Sequence, residues 1–242
     1  MNFLDNFFFI ALPYVALVGF LIGTIVRYRM AKFSISSLSS QFMESGSLFW
    51  GSVSFHIGIL ILIFGHLIAF LFPSTLLAFN SVPVRLLIIE ITGFAAGLLL
   101  LFGLLKLLYR RLTNDRVLMV TNKMDIFVEL LILAQVILGI LVAYNYQWGS
   151  SWFAAVLTPY LRSIFLFSPD IAAVSAMPWM MKWHVIGAYL IVLLFPFSRL
   201  MHILVTPLHY IWRPYQRVLW NWDPKKIRDP KTKWTQHRPK NT

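Results

Sequence analysis

Cysteine is absent from the 242 residues. That excludes a disulfide framework, a thiolate-held iron–sulfur cluster, thioether-attached haem and a catalytic thiol. Any metal must be held by His, Met or oxygen ligands. Acidic residues are also scarce, nine Asp plus Glu against 21 Lys plus Arg, for a net charge of +12. Charged residues of all kinds make up 12%, about half the share in a soluble domain. Apolar residues fill the space, with 59% hydrophobic, 16% aromatic and a mean hydropathy of +0.73. A cytosolic globule and a disordered chain are both excluded. In so apolar a chain the basic excess points to membrane topology and anionic lipid, not to nucleic acid.

A bilayer core of about 30 Å takes roughly 20 helical residues to cross. The charge-free stretch at 7–26 is the first span, read as a retained helix because it has no basic n-region and no cleavage pattern. The stretch 45–84 is too long for one span, and Pro73 divides it into a span near 50–72 and an external segment. Further spans are expected near 86–109, 126–146 and 180–206, the last interrupted by Pro196 and Arg199. The loop at 147–179 has only short apolar pieces and reads as interfacial helix. The expectation is an all-α integral membrane protein with five spans in residues 1–212 and a basic tail at 213–242. With the N-terminus outside, eighteen Lys or Arg fall inside and only Arg85, Arg162 and Lys182 outside. That asymmetry places the C-terminus in the cytoplasm and the chain in the cytoplasmic (inner) membrane.

The histidines carry the chemistry. Five of six, His56, His66, His184, His202 and His209, lie in or beside apolar spans, where an ionisable residue is costly and marks a site. His237 falls in the charged tail. His56 and His66 are about 15 Å apart along the second span, and His184 and His202 about 27 Å apart along the fifth, at 1.5 Å per residue. These two spans run antiparallel, so side by side they pair His56 with His202 near the inner end and His66 with His184 near the outer. His209 would put its separation from His184 beyond the hydrocarbon core. Zinc would want more ligands and an acidic partner. Two imidazoles facing across a gap suit a six-coordinate haem iron, closed to substrate and built for electron transfer. Two non-covalent b haems are therefore expected, with Gly58, Gly65 and Gly187 as places for a macrocycle to press on backbone.

The runs Phe55-His56-Ile57-Gly58-Ile59-Leu60 with Gly65-His66, and Leu193-Leu194-Phe195-Pro196-Phe197-Ser198-Arg199-Leu200 with His202-Ile203, resemble the gamma subunit of respiratory nitrate reductase. Phe7-Phe8-Phe9, Leu21-Ile22-Gly23 with Arg27-Tyr28, and Arg110-Arg111-Leu112 resemble it as well. The resemblance covers about residues 1–212 and is weaker over 147–180. It implies a cytochrome b anchor that oxidises quinol near the outer face and passes electrons inward through two haems. His66 and His184 would hold the outer haem, and His56 and His202 the inner. The acceptor would be an iron–sulfur beta subunit serving a molybdenum alpha subunit, which carries the nitrate site, so no catalytic residue is expected on this chain. Quinol would bind beside the outer haem with Arg85, Gly65 and His66, Arg85 standing where the family carries a Lys.

Arg199 lies three residues before His202, nearly on the same helix face. It would neutralise a propionate of the inner haem or cap the inner end of the span. Glu90 would pair with Arg85 or accept a quinol proton. Trp179, Trp183, Trp212, Trp220 and Trp222 fit an interfacial belt, and the tail fits a docking surface for the soluble partner. Other readings are a related di-haem anchor for nitrite oxidation or another molybdenum or sulfur-metabolism complex, and a proton-relaying transporter. The transporter would call for acids within the spans and internal repeats; only Glu90 is seen, and no repeat.

Overall fold

Long apolar runs without interior proline make helices, and in this chain proline sets where they start and stop. The computed structural model describes residues 3–31, 35–36, 39–40, 43–205, 212–214 and 231. Among them, five helices are long and apolar enough to cross a membrane. These are α1 (Phe3–Met30), α2 (Gly46–Leu71), α3 (Pro83–Thr113), α4 (Lys123–Asn145) and α5 (Trp179–Phe197). Pro73 closes α2 and opens a short helix, Pro73–Asn80, and Pro83 occupies the first turn of α3, where its missing N–H costs nothing. A capping box starts α4: the Asn122 side chain accepts from Asp125 N–H, and the Asp125 carboxylate accepts from Asn122 N–H. The α4–α5 loop carries the short helices Gly149–Trp152, Phe153–Leu157, Thr158–Phe165 and Ala172–Ser175.

The chain divides into two compact units, Met1–Val205 and Thr206–Thr242. Most of the basic tail, with His209, His237, Trp220 and Trp222, lies outside the described residues.

Inside a bilayer there is no hydrophobic drive between helices, so close packing of small residues carries their association. The α2–α3 contact has this form. Gly103 lies against the Phe55 backbone N, and a methyl group at Gly58 would sit 2.8 Å from the Ala96 carbonyl oxygen. Gly58 is therefore spent on helix packing. So is Gly187, whose missing side chain leaves room for Gln135 of α4. Of the three glycines expected to meet a macrocycle, Gly65 alone faces open space. A core of Leu100, Leu104, Val128, Ile132 and Val136 joins α3 to α4, with Phe55 and Ile59 of α2 packed on it. A second core, including Phe9, Leu157, Tyr160, Ile164 and Val185, joins α1, the loop helices and α5. Around the bundle α2 packs on α3, α3 on α4, α4 on α5 and α5 on α1, whereas α2 and α5 have no extensive contact. A gap therefore separates the two histidine-bearing helices.

The fifth span is not one continuous α-helix. It is α-helical to Leu194, tightens to a 3₁₀ turn at Phe195–Phe197, becomes extended at Ser198, and resumes as a 3₁₀ helix at Arg199–Val205. Pro196 causes the break, because its ring cannot donate to the preceding turn. Arg27 of α1 compensates, donating from Nη1 to the freed carbonyls of Pro196 and Ser198 at 2.7 Å each.

Candidate functional site: two histidine pairs across the α2–α5 gap

His56 and His202 stand face to edge, with ring centroids 6.3 Å apart and planes at 66°. Two imidazoles sharing one metal through bonds of about 2 Å each place their ring centres roughly 6 Å apart, so this spacing can hold an iron between them. The chain reaches His202 through the break at Pro196 and Ser198. At the other end His66 lies on α2 and His184 on α5. The Phe153 ring stands edge-on to His66 at 5.2 Å.

The tautomers are set by the backbone. His56 Nδ1 donates to the Ser52 carbonyl, His66 Nδ1 to the Leu62 carbonyl and His202 Nδ1 to the Arg199 carbonyl, each at 2.7 Å. A carbonyl can only accept, so Nδ1 carries the proton and Nε2 keeps its lone pair for a metal. His56 and His66 are both exposed within a membrane span. Bare imidazoles facing hydrocarbon are costly, and a flat apolar cofactor in the α2–α5 gap would cover them. Open space beside Gly65 leaves room for one. Among the described residues no three His, Asp or Glu converge on a point.

The nitrate reductase gamma subunit family model matches residues 5–221. The chain is 33% identical over 221 residues to the respiratory nitrate reductase 1 gamma chain of Escherichia coli K12, covering 90% of this chain and 98% of that one. It is 32% identical over 222 residues to the respiratory nitrate reductase 2 gamma chain of the same organism, with the same coverage. It is 31% identical over 207 residues to the nitrate reductase gamma chain of Bacillus subtilis 168, covering 84% and 93%. This chain belongs to the nitrate reductase gamma subunit family. With its five apolar helices, this family member is a multi-pass cell-membrane protein.

The remaining expected site residues of this gamma-family chain have different surroundings from those the sequence suggested. Arg85, in the first turn of α3, is exposed, with its guanidinium 5.3 Å above the centre of the Phe79 ring. It does not pair with Glu90. Glu90 instead accepts from Gly149 N–H at 3.1 Å, Ser150 N–H at 2.9 Å and Ser150 Oγ–H at 2.6 Å. Two peptide N–H donors of a tight turn out-compete a guanidinium that is already solvated. Asn80 grips the same turn, donating to the Ser150 and Ser151 hydroxyls at 3.0 Å. Lys182 pairs with Asp5 at 3.3 Å, and Arg162 donates to the Phe70 and Leu71 carbonyls at the end of α2.

Arg199 donates from Nη2 to Asp125 at 2.6 Å and to the Val120 carbonyl at 2.9 Å. These bonds pin the 3₁₀ helix of His202 to the start of α4. Arg111 joins the cluster through Glu129 at 2.7 Å and Asp125 at 3.7 Å. On the same face of the bundle, buried Arg110 holds Glu44 and the Ser40 hydroxyl. The Ser47 hydroxyl and N–H, and then the Arg110 guanidinium, lower the Glu44 pKa to about 2. Sequence reading missed Phe153, Asp125 and Gln135. Phe153 had no signal; Asp125 and Gln135 were polar residues in or beside an apolar span, and that was a usable one.

Proposed function

We propose that this chain is the quinol-oxidising, di-haem b membrane subunit of a respiratory nitrate reductase. The observation that carries the reading is His56 and His202 face to edge with ring centroids 6.3 Å apart, and the placement of His66 and His184 on α2 and α5 supports a second pair. Their Nε2 atoms are free to ligate because the backbone holds the protons on Nδ1 at His56, His66 and His202. When bound, two b haems would supply one-electron transfer between the membrane faces, a chemistry that belongs to the cofactor.

The chain's own residues orient and insulate that chemistry. The basic asymmetry of the sequence supports an outside N-terminus, which places the His66–His184 pair near the outer face and His56–His202 near the cytoplasmic face. The quinone ring would bind beside Gly65 and His66, whose imidazole meets the Phe153 ring edge-on. Arg85 adds positive charge at the outer rim, where it would stabilise negative charge developing on quinol oxygen as its protons leave. Release of those protons outside, with electrons travelling inward, stores energy across the membrane.

At the cytoplasmic face the Arg110–Glu44 and Arg111–Glu129–Asp125–Arg199 groups make a rigid ionic floor beneath His56 and His202. Such a floor suits docking of an iron–sulfur subunit that feeds a molybdenum subunit. The purified complex tests the proposal. A pyridine extract should give two b haems per gamma chain, and a quinol should reduce both. No haem, or haem that quinol cannot reduce, would refute it.

A further inference from the structure

Each of His56, His66 and His202 is steadied by a carbonyl of its own helix. His184 is different. Its Nδ1 is buried and has no hydrogen-bond partner. The residues facing it come from α4, where Gln135 and Gly139 lie four apart and so share one face. At Gly139 the bare backbone admits the imidazole: a methyl group there would sit 2.9 Å from Cε1 and 3.5 Å from Nδ1. One turn along, Gln135 Nε2 donates to the His184 carbonyl at 2.8 Å. The other end of that amide, Oε1, is buried and unpartnered. Gly187 leaves it room, since a side chain there would collide with Oε1.

A buried ring nitrogen without a partner and a buried amide oxygen without a partner thus belong to the same α4–α5 packing. They come from neighbouring helices, and the Gln135 amide already reaches the His184 backbone. Buried polar atoms are normally satisfied, and an orphaned pair of opposite kind is the arrangement in which each can satisfy the other. Building on the haem assignment above, we propose that Gln135 Oε1 accepts the His184 Nδ1–H when Nε2 ligates iron. Gln135 is then the positioning residue of the His66–His184 site, taking the role that a carbonyl of the same helix plays for the other three ligands. Gly139 is its companion, keeping space for the ring.

The consequence is electronic as well as steric. An acceptor on Nδ1–H raises the basicity of a ligating imidazole and so favours ferric over ferrous iron. The test is a potentiometric titration of both haems, followed optically, in the intact complex. Gln135→Leu, which removes the acceptor, and Gln135→Asn, which shortens it by one methylene, should both raise the midpoint potential of the His66–His184 haem. Gln135→Glu keeps an acceptor oxygen at full length and should leave that midpoint at or below its wild-type value. The His56–His202 haem should not shift in any of them. If Gln135→Leu fails to retain the haem, the Asn and Glu variants decide. Equal upward shifts in Asn and Glu, or no shift in Asn, would overturn the assignment of Gln135. A wild-type complex without two titrating haems would instead overturn the haem assignment beneath it.

Discussion

Removing the Asp125 carboxylate should loosen one haem site and spare the other. Asp125 is buried at the start of α4, where its Oδ2 accepts from Arg199 Nη2 at 2.6 Å and from Asn122 N–H at 3.0 Å. Arg199 shares a 3₁₀ helix with His202, and its carbonyl accepts the His202 Nδ1–H at 2.7 Å. The mechanical path is therefore Asp125 to Arg199 to His202. Asp125→Ala deletes a charged hydrogen bond worth roughly 1.5–3 kcal/mol and half of a capping box worth about 1 kcal/mol. The Arg199 side chain is 23% exposed, so water screens part of the pair and the low end applies. About 2 kcal/mol then reaches the ligand, and at 1.4 kcal/mol per tenfold this weakens haem retention roughly 30-fold. Asp125→Asn, which keeps the cap and a neutral bond, should lose about half that energy, or roughly fivefold. The assay is haem occupancy of the two sites, resolved by optical redox titration, as the detergent-purified complex is diluted. Equal loss from both sites, or loss confined to the His66–His184 site, would refute the path.

Three further outcomes are expected. Arg85→Ala should slow quinol oxidation about tenfold, a modest factor because the guanidinium is exposed; both haems should stay bound, and Arg85→Lys should recover most of the rate. Unchanged quinol-dependent haem reduction in Arg85→Ala would put the pocket elsewhere. Gly139→Ala should expel the His184 ring, because its Cβ would lie 2.9 Å from Cε1; one haem should be lost from the optical spectrum, and retention of both would show that the ring has another seat. Glu44, with its pKa lowered from 4.5 to about 2, contributes stability that is fully present above 4.5 and is lost as pH falls through 2. The stability difference between wild type and Glu44→Gln should be flat near neutrality and shrink only in that acid window, as read by thermal unfolding at stepped pH.

Much of the fold was legible because bilayer thickness imposes a length, and the sequence meets it five times between charges. The pairing of His56 with His202 followed from antiparallel spans and needed no side-chain detail. The interruption of the fifth span at Pro196 was legible too, but not what holds it: the helix breaks at Pro196 and Ser198, and Arg27 of α1 stabilises the break. That compensation is a contact between residues 169 positions apart, which no local pattern announces. The surroundings of Glu90 and Arg199 were illegible for the same reason: their partners, the Gly149–Ser150 turn and Asp125, come from other elements. Gly58 and Gly65 look alike in sequence, and only packing shows that one faces α3 while the other faces open space.

The central claim is that each histidine pair holds one haem. It is tested most directly by four single variants, His56→Ala, His202→Ala, His66→Ala and His184→Ala, each examined by reduced-minus-oxidised optical spectroscopy. The first two should share one spectrum, retaining the haem that the last two lose, and the last two should share the complementary one. A His56→Ala spectrum that matched His184→Ala in place of His202→Ala would contradict the account.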